Sequence, residues 1–217
     1  MDYASALGGD NCVDTIEDAQ RRLNFWNISA VVVILLYVAV TGTSAVLNAY
    51  AATQWGAFTV EFGNMADMFI QLSWVAFVVS AVIVSIWIYR AHANLSVIGL
   101  DGLEFTPGWS IGWFFVPIAS LVMPYRAMRE LWERSGAAAD VRWGGILPYW
   151  WGTFLIGGVI ENIGGRMISD VSGTGTGILL LAIGQVTRVV CAVLLMQIIR
   201  TATRAEATAS SVSVTFA

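Results

Sequence analysis

"PGWSIGWFFVPIASLVMP", residues 107–124, has the composition of a membrane segment, yet it is fenced by Pro107 and Pro124 and carries Pro117 in its middle. Whether it crosses a bilayer or only dips into one decides which side every other loop faces. Gly108 to Met123 is 16 residues, about 24 Å as an unbroken helix against a hydrocarbon core of about 30 Å. Pro117 removes a backbone hydrogen bond and kinks any helix that runs through it. The stretch is too short to cross comfortably, so a re-entrant or shallow element is expected. The rival reading extends the helix through Tyr125 to Met128 and counts it as a fifth span.

Outward from this stretch the chain is apolar almost throughout. It has 57% hydrophobic and 12% charged residues and a mean hydropathy of +0.71, outside the range of ordinary soluble domains. Four runs are long enough to span a bilayer as helices: Phe25 to Leu47, Met68 to Tyr89, Pro148 to Ile168 and Ile178 to Ile199. The expected fold is an all-α polytopic membrane bundle of four transmembrane helices, with the Pro-broken element and an interfacial amphipathic helix added. The domain reading is an acidic cytoplasmic leader over 1–24, a single membrane domain over 25–200 and a disordered tail rich in Ala, Ser and Thr over 201–217.

Ala49-Tyr50-Ala51 imitates a signal-peptide cleavage site. The leader before the first span carries Asp2, Asp10, Asp14, Glu17 and Asp18, and the apolar run is too long for a signal. The first span reads as an uncleaved anchor.

Arginine distribution tests the opening stretch, because short cytoplasmic loops collect basic residues. All eleven basic residues are Arg. If 107–124 crosses, the two sides carry six and four of them. If it returns, Arg21, Arg22, Arg90, Arg126, Arg129, Arg134, Arg142, Arg200 and Arg204 share one side against Arg166 alone, with Arg188 inside the membrane. The nine-to-one asymmetry favours a re-entrant segment and cytoplasmic termini. The net charge of −4 comes mostly from the leader and argues against nucleic-acid binding. An all-Arg set suits phosphate contacts and equally fits an Arg-rich composition.

In "YRAMRELWER", Tyr125, Met128 and Trp132 fall at i, i+3 and i+7, with Arg126/Glu130 and Glu130/Arg134 at pairing distance. That pattern predicts a helix in the cytoplasmic interface, its aromatics among headgroups and its Arg beside anionic lipid. Trp109, Trp113, Trp143, Trp150 and Trp151 are expected in the same aromatic belt.

"YRAHANL" at 89–95, followed by "FTPGWSIGWFFVPIASLVMPYRAMRELW" at 105–132, resembles the hallmark of a bacterial membrane family known only as domain of unknown function forty-three twenty-eight. The matching positions are Arg90, Asn94, Pro107, Gly108, Trp109, Gly112, Trp113, Pro117, Pro124, Tyr125, Glu130 and Trp132. His92 and Met123 depart from the pattern. The resemblance covers a fifth of the chain and implies a multi-pass bacterial membrane protein of the inner membrane, with no activity to carry over.

Ionisable residues inside a membrane are costly and mark function by default. Glu161 lies 13 residues after Pro148, and Arg188 lies 12 residues before Arg200, each about 18–20 Å from the cytoplasmic end of its span. On antiparallel neighbouring helices the two charges are level. Gly157, Glu161 and Gly165 share one face, and Gly184, Arg188 and Ala192 another, the small-residue spacing that lets helices approach closely. A Glu161–Arg188 ion pair is predicted, with Asn162 and Gln185 as nearby hydrogen-bonding groups and Arg166 and Asp170 as competing partners. It is either an ion, substrate or gating site, or a buried pair that sets helix register.

Weaker signals exclude more than they assign. His92 is the single histidine, so two-histidine haem ligation and multi-histidine metal sites are absent, and it is expected to meet headgroups. Cys12 and Cys191 offer neither a disulfide framework nor a thiolate metal site. "SGTGTG" at 172–177 lacks the following Lys of a phosphate loop and reads as an outer turn. Glu61 and Asp67 read as a solvated loop or an acidic entrance. No Ser/His/Asp set falls within the spans, which argues against hydrolysis; no enzyme activity, cofactor or metal is expected. Two functions remain: an accessory or assembly subunit binding membrane lipids, another membrane protein or itself as a homo-oligomer, or a small transporter or channel using Glu161 and Arg188.

Overall fold

The computed structural model describes residues 9–97, 100, 102–138, 145–168 and 174–216, the side chains at 9–13, 55–64, 66, 67 and 212–216 excepted. Arg142, Trp143, Asp170, the first residues of the 172–177 turn and the side chains of Cys12, Glu61 and Asp67 lie outside that set. Among the described residues every regular element is helical. They are α1 (Gly9–Thr53), α2 (Trp55–Val97), α3 (Trp109–Gly112), α4 (Met123–Ala138), α5 (Ile146–Ile168) and α6 (Thr174–Phe216).

Three helices are long and apolar enough to cross a membrane, within Asp14–Thr53, Met68–Val97 and Thr174–Ser211. The expectation was four. The expected third span, Pro148 to Ile168, falls in α5, whose 23 residues reach about 34 Å. Its Trp, Tyr and Gly content together with Glu161 and Asn162 lowers its mean hydropathy. Three hydroxyls on the long helices return to the carbonyl four residues earlier, Ser29 to Phe25, Thr43 to Ala39 and Ser73 to Phe69. That local bond leaves no donor facing an apolar surround.

The chain forms two compact units. The first comprises Met1–Val31, Val82–Leu147 and Gln197–Ala217. Along α1 its buried positions are Ile16, Leu23 and Ala30, seven residues apart. From α2 come Trp87, Ile88, Ala91 and Leu95, from α4 Met128, Leu131 and Trp132, and from α6 Ile198, Ile199, Ala202, Ala205 and Ala209. These i, i+3, i+4 and i+7 spacings give each helix one apolar stripe, and the stripes cover one another.

Three expectations are corrected here. The apolar face of α4 is real, but Met128 and Trp132 are buried in protein rather than set among headgroups, because periodicity shows that a face must be covered and not what covers it. His92 is fully buried, its Nδ1–H donating to the Ile88 carbonyl at 3.0 Å, and makes no headgroup contact. The tail is no disordered segment: α6 continues to Phe216, with Ala202, Thr203, Ala205, Glu206, Ala209 and Ser210 buried along one face. Small residues at helical spacing pack closely without a strong hydropathy signal.

The opening stretch lies in this unit and is not one helix. Four residues of α3 pass into a 3-10 turn at Trp113–Phe115, then Val116 turns extended (φ −93°, ψ 115°) ahead of Pro117, as the residue before a proline must. Ile118 follows at φ 67°, ψ −52°, the centre of a γ-turn closed by Ala119 N–H on the Pro117 carbonyl at 2.8 Å, a strained conformation that costs a β-branched residue about 1–3 kcal/mol. A second 3-10 turn, Ala119–Leu121, leads into α4, whose first turn accommodates Pro124 because its missing N–H has no helical partner there. Phe115 and Ile118 stand 82% and 84% exposed at the tip, with Trp109, Leu121 and Val122 also exposed.

The second unit comprises Val32–Ala81 and Pro148–Met196. Its outward faces carry Leu36, Val46, Trp74, Val78, Ile156, Val159 and Val186, all exposed, and its interior carries Thr41, Ser44, Ala45, Asn48 and Ala182. Apolar outside and small or polar inside is an arrangement suited to lipid rather than water. Trp150 and Trp151 are buried in this unit instead of joining an aromatic belt, and Trp151 stacks on Phe154 with centroids 5.1 Å apart.

Candidate functional site

The second unit holds the predicted ion pair. Arg188 Nε on α6 donates to Glu161 Oε2 on α5 at 3.1 Å, with side chains 17% and 27% exposed. α5 and α6 come together where neither carries a side chain. A β-carbon at Gly184 would stand 2.5 Å from Glu161 Cγ and 3.4 Å from the Gly157 carbonyl oxygen, and one at Gly157 would stand 3.5 Å from the Gly184 oxygen. Further along, a β-carbon at Gly164 would stand 2.8 Å from the Gly177 oxygen. The sequence reading placed Gly165 on this face, but nothing lies within 4 Å of its side-chain position. The seam runs through Gly157 and Gly164 because a seven-residue step holds a straight helix face better than two successive steps of four.

The guanidinium is held by more than charge. Its central carbon lies 5.1 Å from the Phe154 ring centroid and 5.7 Å from that of Phe77, in cation–π range of both rings. Nη1 is buried without a hydrogen-bond acceptor, so the rings are what compensates it. Gly158 leaves space on the remaining side: a β-carbon there would stand 3.2 Å from Nη2.

The expected hydrogen-bonding neighbours separate. Gln185 is committed to α1, its Oε1 accepting from Asn48 Nδ2 and its Nε2 donating to Ser44 Oγ, both at 2.9 Å. Asn162 stays exposed and lines a cavity of about 520 Å³ together with Tyr37, Ser73, Trp74, Phe77, Glu161, Arg166 and Arg188. Arg166 has no ion-pair partner among the described residues, so the competing Glu161–Arg166 pair does not form.

A second polar centre, unforeseen in the sequence, lies in the first unit. Glu206 Oε2 accepts from Asn94 Nδ2 at 2.8 Å and its Oε1 from Ser135 Oγ at 3.2 Å. Asn94 Nδ2 and Ser210 Oγ both reach Gln20 Oε1, at 3.4 and 3.3 Å, and Trp87 Nε1 donates to Thr203 Oγ1 at 3.1 Å. These bonds tie α1, α2, α4 and α6 together. Glu206 is completely buried and no cation pairs with it among the described residues. The signal for it was present, since Ala202, Ala205, Glu206 and Ala209 share helical spacing, but a tail read as disordered offers no burial.

The motif residues act as a brace for the broken segment. Both carboxylate oxygens of Glu130 accept backbone N–H bonds, from Glu104 and from Phe105, the latter at 3.0 Å. Arg126 pairs with Glu104, and Arg134 donates to the Gly102 carbonyl at 3.1 Å. The predicted Arg126/Glu130 and Glu130/Arg134 pairs are replaced by these, because non-helical N–H groups near a carboxylate outbid a solvated side chain. Trp109 and Trp113 pack ring on ring at 4.9 Å, Trp132 and Pro124 are buried, and Arg90, Pro107, Pro117 and Tyr125 lie at least partly exposed.

Three helices of bilayer length and long apolar faces turned outward define an all-helical protein with the build of an integral membrane protein. Within that class the chain belongs to the family described as domain of unknown function DUF4328, which matches residues 51–204. The matched range includes Asn94, Glu130, Glu161 and Arg188 and stops two residues short of Glu206. No curated protein and no solved structure matches the chain.

Proposed function

We propose that this protein is a non-catalytic accessory or assembly subunit of the bacterial cytoplasmic membrane, binding lipid, another membrane protein or a second copy of itself through the broken segment at 107–124. The observation that carries this reading is the contrast within that segment. Its base is clamped by Glu130 and the buried Pro124, while Phe115 and Ile118 project almost fully exposed. A rigid base under an uncovered apolar tip suits a surface made to be covered by something else. In this reading α5 is the fourth crossing, 107–124 enters the membrane and returns, and both termini are cytoplasmic, in keeping with the nine-to-one distribution of Arg.

The test is native mass spectrometry of protein extracted with its own lipid, comparing wild type with Phe115→Ser/Ile118→Ser. A second polypeptide, a second copy or bound lipid at fixed stoichiometry in wild type, lost in the variant at unchanged thermal stability, supports the reading. Identical spectra for the two proteins refute it.

A second reading, a small transporter or channel, is favoured by one observation: the Glu161–Arg188 pair borders the 520 Å³ cavity instead of being sealed in a core. Under it, Glu161→Gln abolishes ion flux in proteoliposomes while folding persists.

A further inference from the structure

The cavity beside Glu161 and Arg188 has a neighbour. A second hollow of about 360 Å³ is lined by Phe154, Leu155, Val159 and Ile163, and shares Gly158, Asn162 and Arg188 with the first. Their linings differ in charge. The larger holds both guanidinium groups, Arg188 and Arg166, against the single carboxylate of Glu161. The smaller is walled by aliphatic and aromatic side chains, with Val159 and Ile163 open to the outside. Arg188 stands in the wall between them, and the space beside its Nη2 exists because residue 158 is glycine.

This pairing has a chemical meaning. The larger hollow is lined by two guanidinium groups and one carboxylate, so its lining complements one further negative charge. Charge-assisted bonds from guanidinium to carboxylate or phosphate are the strong kind, and stronger where water is scarce. Away from Arg188 and Asn162 the adjoining groove is aliphatic and aromatic, a lining suited to hydrocarbon. One molecule that satisfies both hollows carries an anion at one end and an acyl chain at the other.

We propose that these joined hollows bind an anionic amphiphile, its carboxylate or phosphate between Arg188 and Arg166 and its acyl chain along Leu155, Val159 and Ile163. This goes beyond the binding role assigned to residues 107–124 and does not depend on it, since every residue involved lies in the second unit. The ion pair then acts as a positioning device: Glu161 holds one edge of the Arg188 guanidinium, Phe77 and Phe154 lie in cation–π range of it, and Nη2 is left for the ligand. Asn162, exposed at the junction of the two hollows, supplies a neutral donor for the same headgroup.

The experiment uses the full chain, purified in a neutral maltoside detergent and offered oleate, phosphatidylglycerol, phosphatidylcholine of the same acyl chains, or inorganic phosphate, with occupancy read by native mass spectrometry. Oleate or phosphatidylglycerol is expected to be retained at one per chain about tenfold better than phosphatidylcholine, and which of the two is retained identifies the source of the anion. Arg166→Gln, at an exposed position that does not threaten folding, lowers that preference. Gly158→Leu, which fills the space beside Nη2, lowers retention. Equal retention of phosphatidylcholine overturns the proposal, as does a preference that survives both variants. Retention of inorganic phosphate as strong as that of the amphiphiles also overturns it, because the acyl groove would then contribute nothing.

Discussion

Gly164 and Gly165 are adjacent in the chain, and replacing each by alanine has opposite consequences. In a helix interior, Gly→Ala is worth about 0.5–1 kcal/mol in favour of folding. At Gly165 nothing opposes that gain, since no atom lies within 4 Å of the new methyl group. At Gly164 the methyl would stand 2.8 Å from the Gly177 carbonyl oxygen and 3.0 Å from the Leu181 backbone nitrogen. Both are backbone atoms of α6, which no rotamer change can move aside. Overpacking against a fixed wall costs about 1–3 kcal/mol or more. The helix gain offsets part of that cost and leaves Gly164→Ala less stable than wild type by roughly 1–2 kcal/mol. At roughly 2–4 °C per kcal/mol for a chain of this size, thermal unfolding in detergent, followed by Trp fluorescence or by loss of the monodisperse peak, resolves the two. Gly165→Ala should melt at or above wild type and Gly164→Ala several degrees below it. If Gly164→Ala melts at or above wild type, or Gly165→Ala melts well below it, α5 and α6 do not meet as described.

Four other outcomes are expected. Glu161→Gln or Arg188→Leu alone, if the pair serves register, lowers stability by about 1–3 kcal/mol, discounted for partial exposure, and the double substitution recovers part of the loss; three unchanged melting temperatures would remove the ion pair as a stabilising element. Glu206→Gln keeps the volume and can still bond Asn94 and Ser135, so stability at neutral pH changes by less than about 1 kcal/mol, whereas Glu206→Leu strands both partners and costs about 2–3 kcal/mol; equal behaviour of the two would contradict the network. Glu130→Ala unties the N–H groups of Glu104 and Phe105 and exposes residues 102–106 to limited proteolysis, while Glu133→Ala, at the surface pair with Arg129, leaves the digestion pattern unchanged. Truncation after Arg200 removes Glu206 and the small-residue face of α6 and is expected to destabilise the first unit, measured as loss of folded yield; a fully folded truncated protein would restore the disordered-tail reading.

How much was legible in advance differs from element to element. The apolar runs of α1, α2 and α6 announced helices of bilayer length, because hydropathy over some twenty residues depends on composition alone. The Glu161–Arg188 pair was also legible, since two isolated charges flanked by glycines at helical spacing have few ways to be satisfied. Other features escaped. Gly165 rather than Gly164 was read onto the seam because a one-residue choice turns on how two helices cross. Gln185 was assigned to the ion pair, yet Asn48 and Ser44 on α1 claimed it. The face of α4 was given to headgroups, and the tail to disorder, for want of knowing what stood opposite.

By itself, then, the sequence determined that the chain is helical, that it is built for a membrane and that proline breaks the helix at 117. Those properties follow from local terms: side-chain hydropathy, backbone hydrogen-bond capacity and the fixed φ of proline. Which faces are covered by protein, which glycines carry the close approach, and that Glu206 closes a buried polar network with Asn94 and Ser135 were decided only in the tertiary structure. Each of these depends on residues brought from distant positions, with Glu206 and Asn94 112 positions apart, and no local pattern specifies which distant partner will fill a given space.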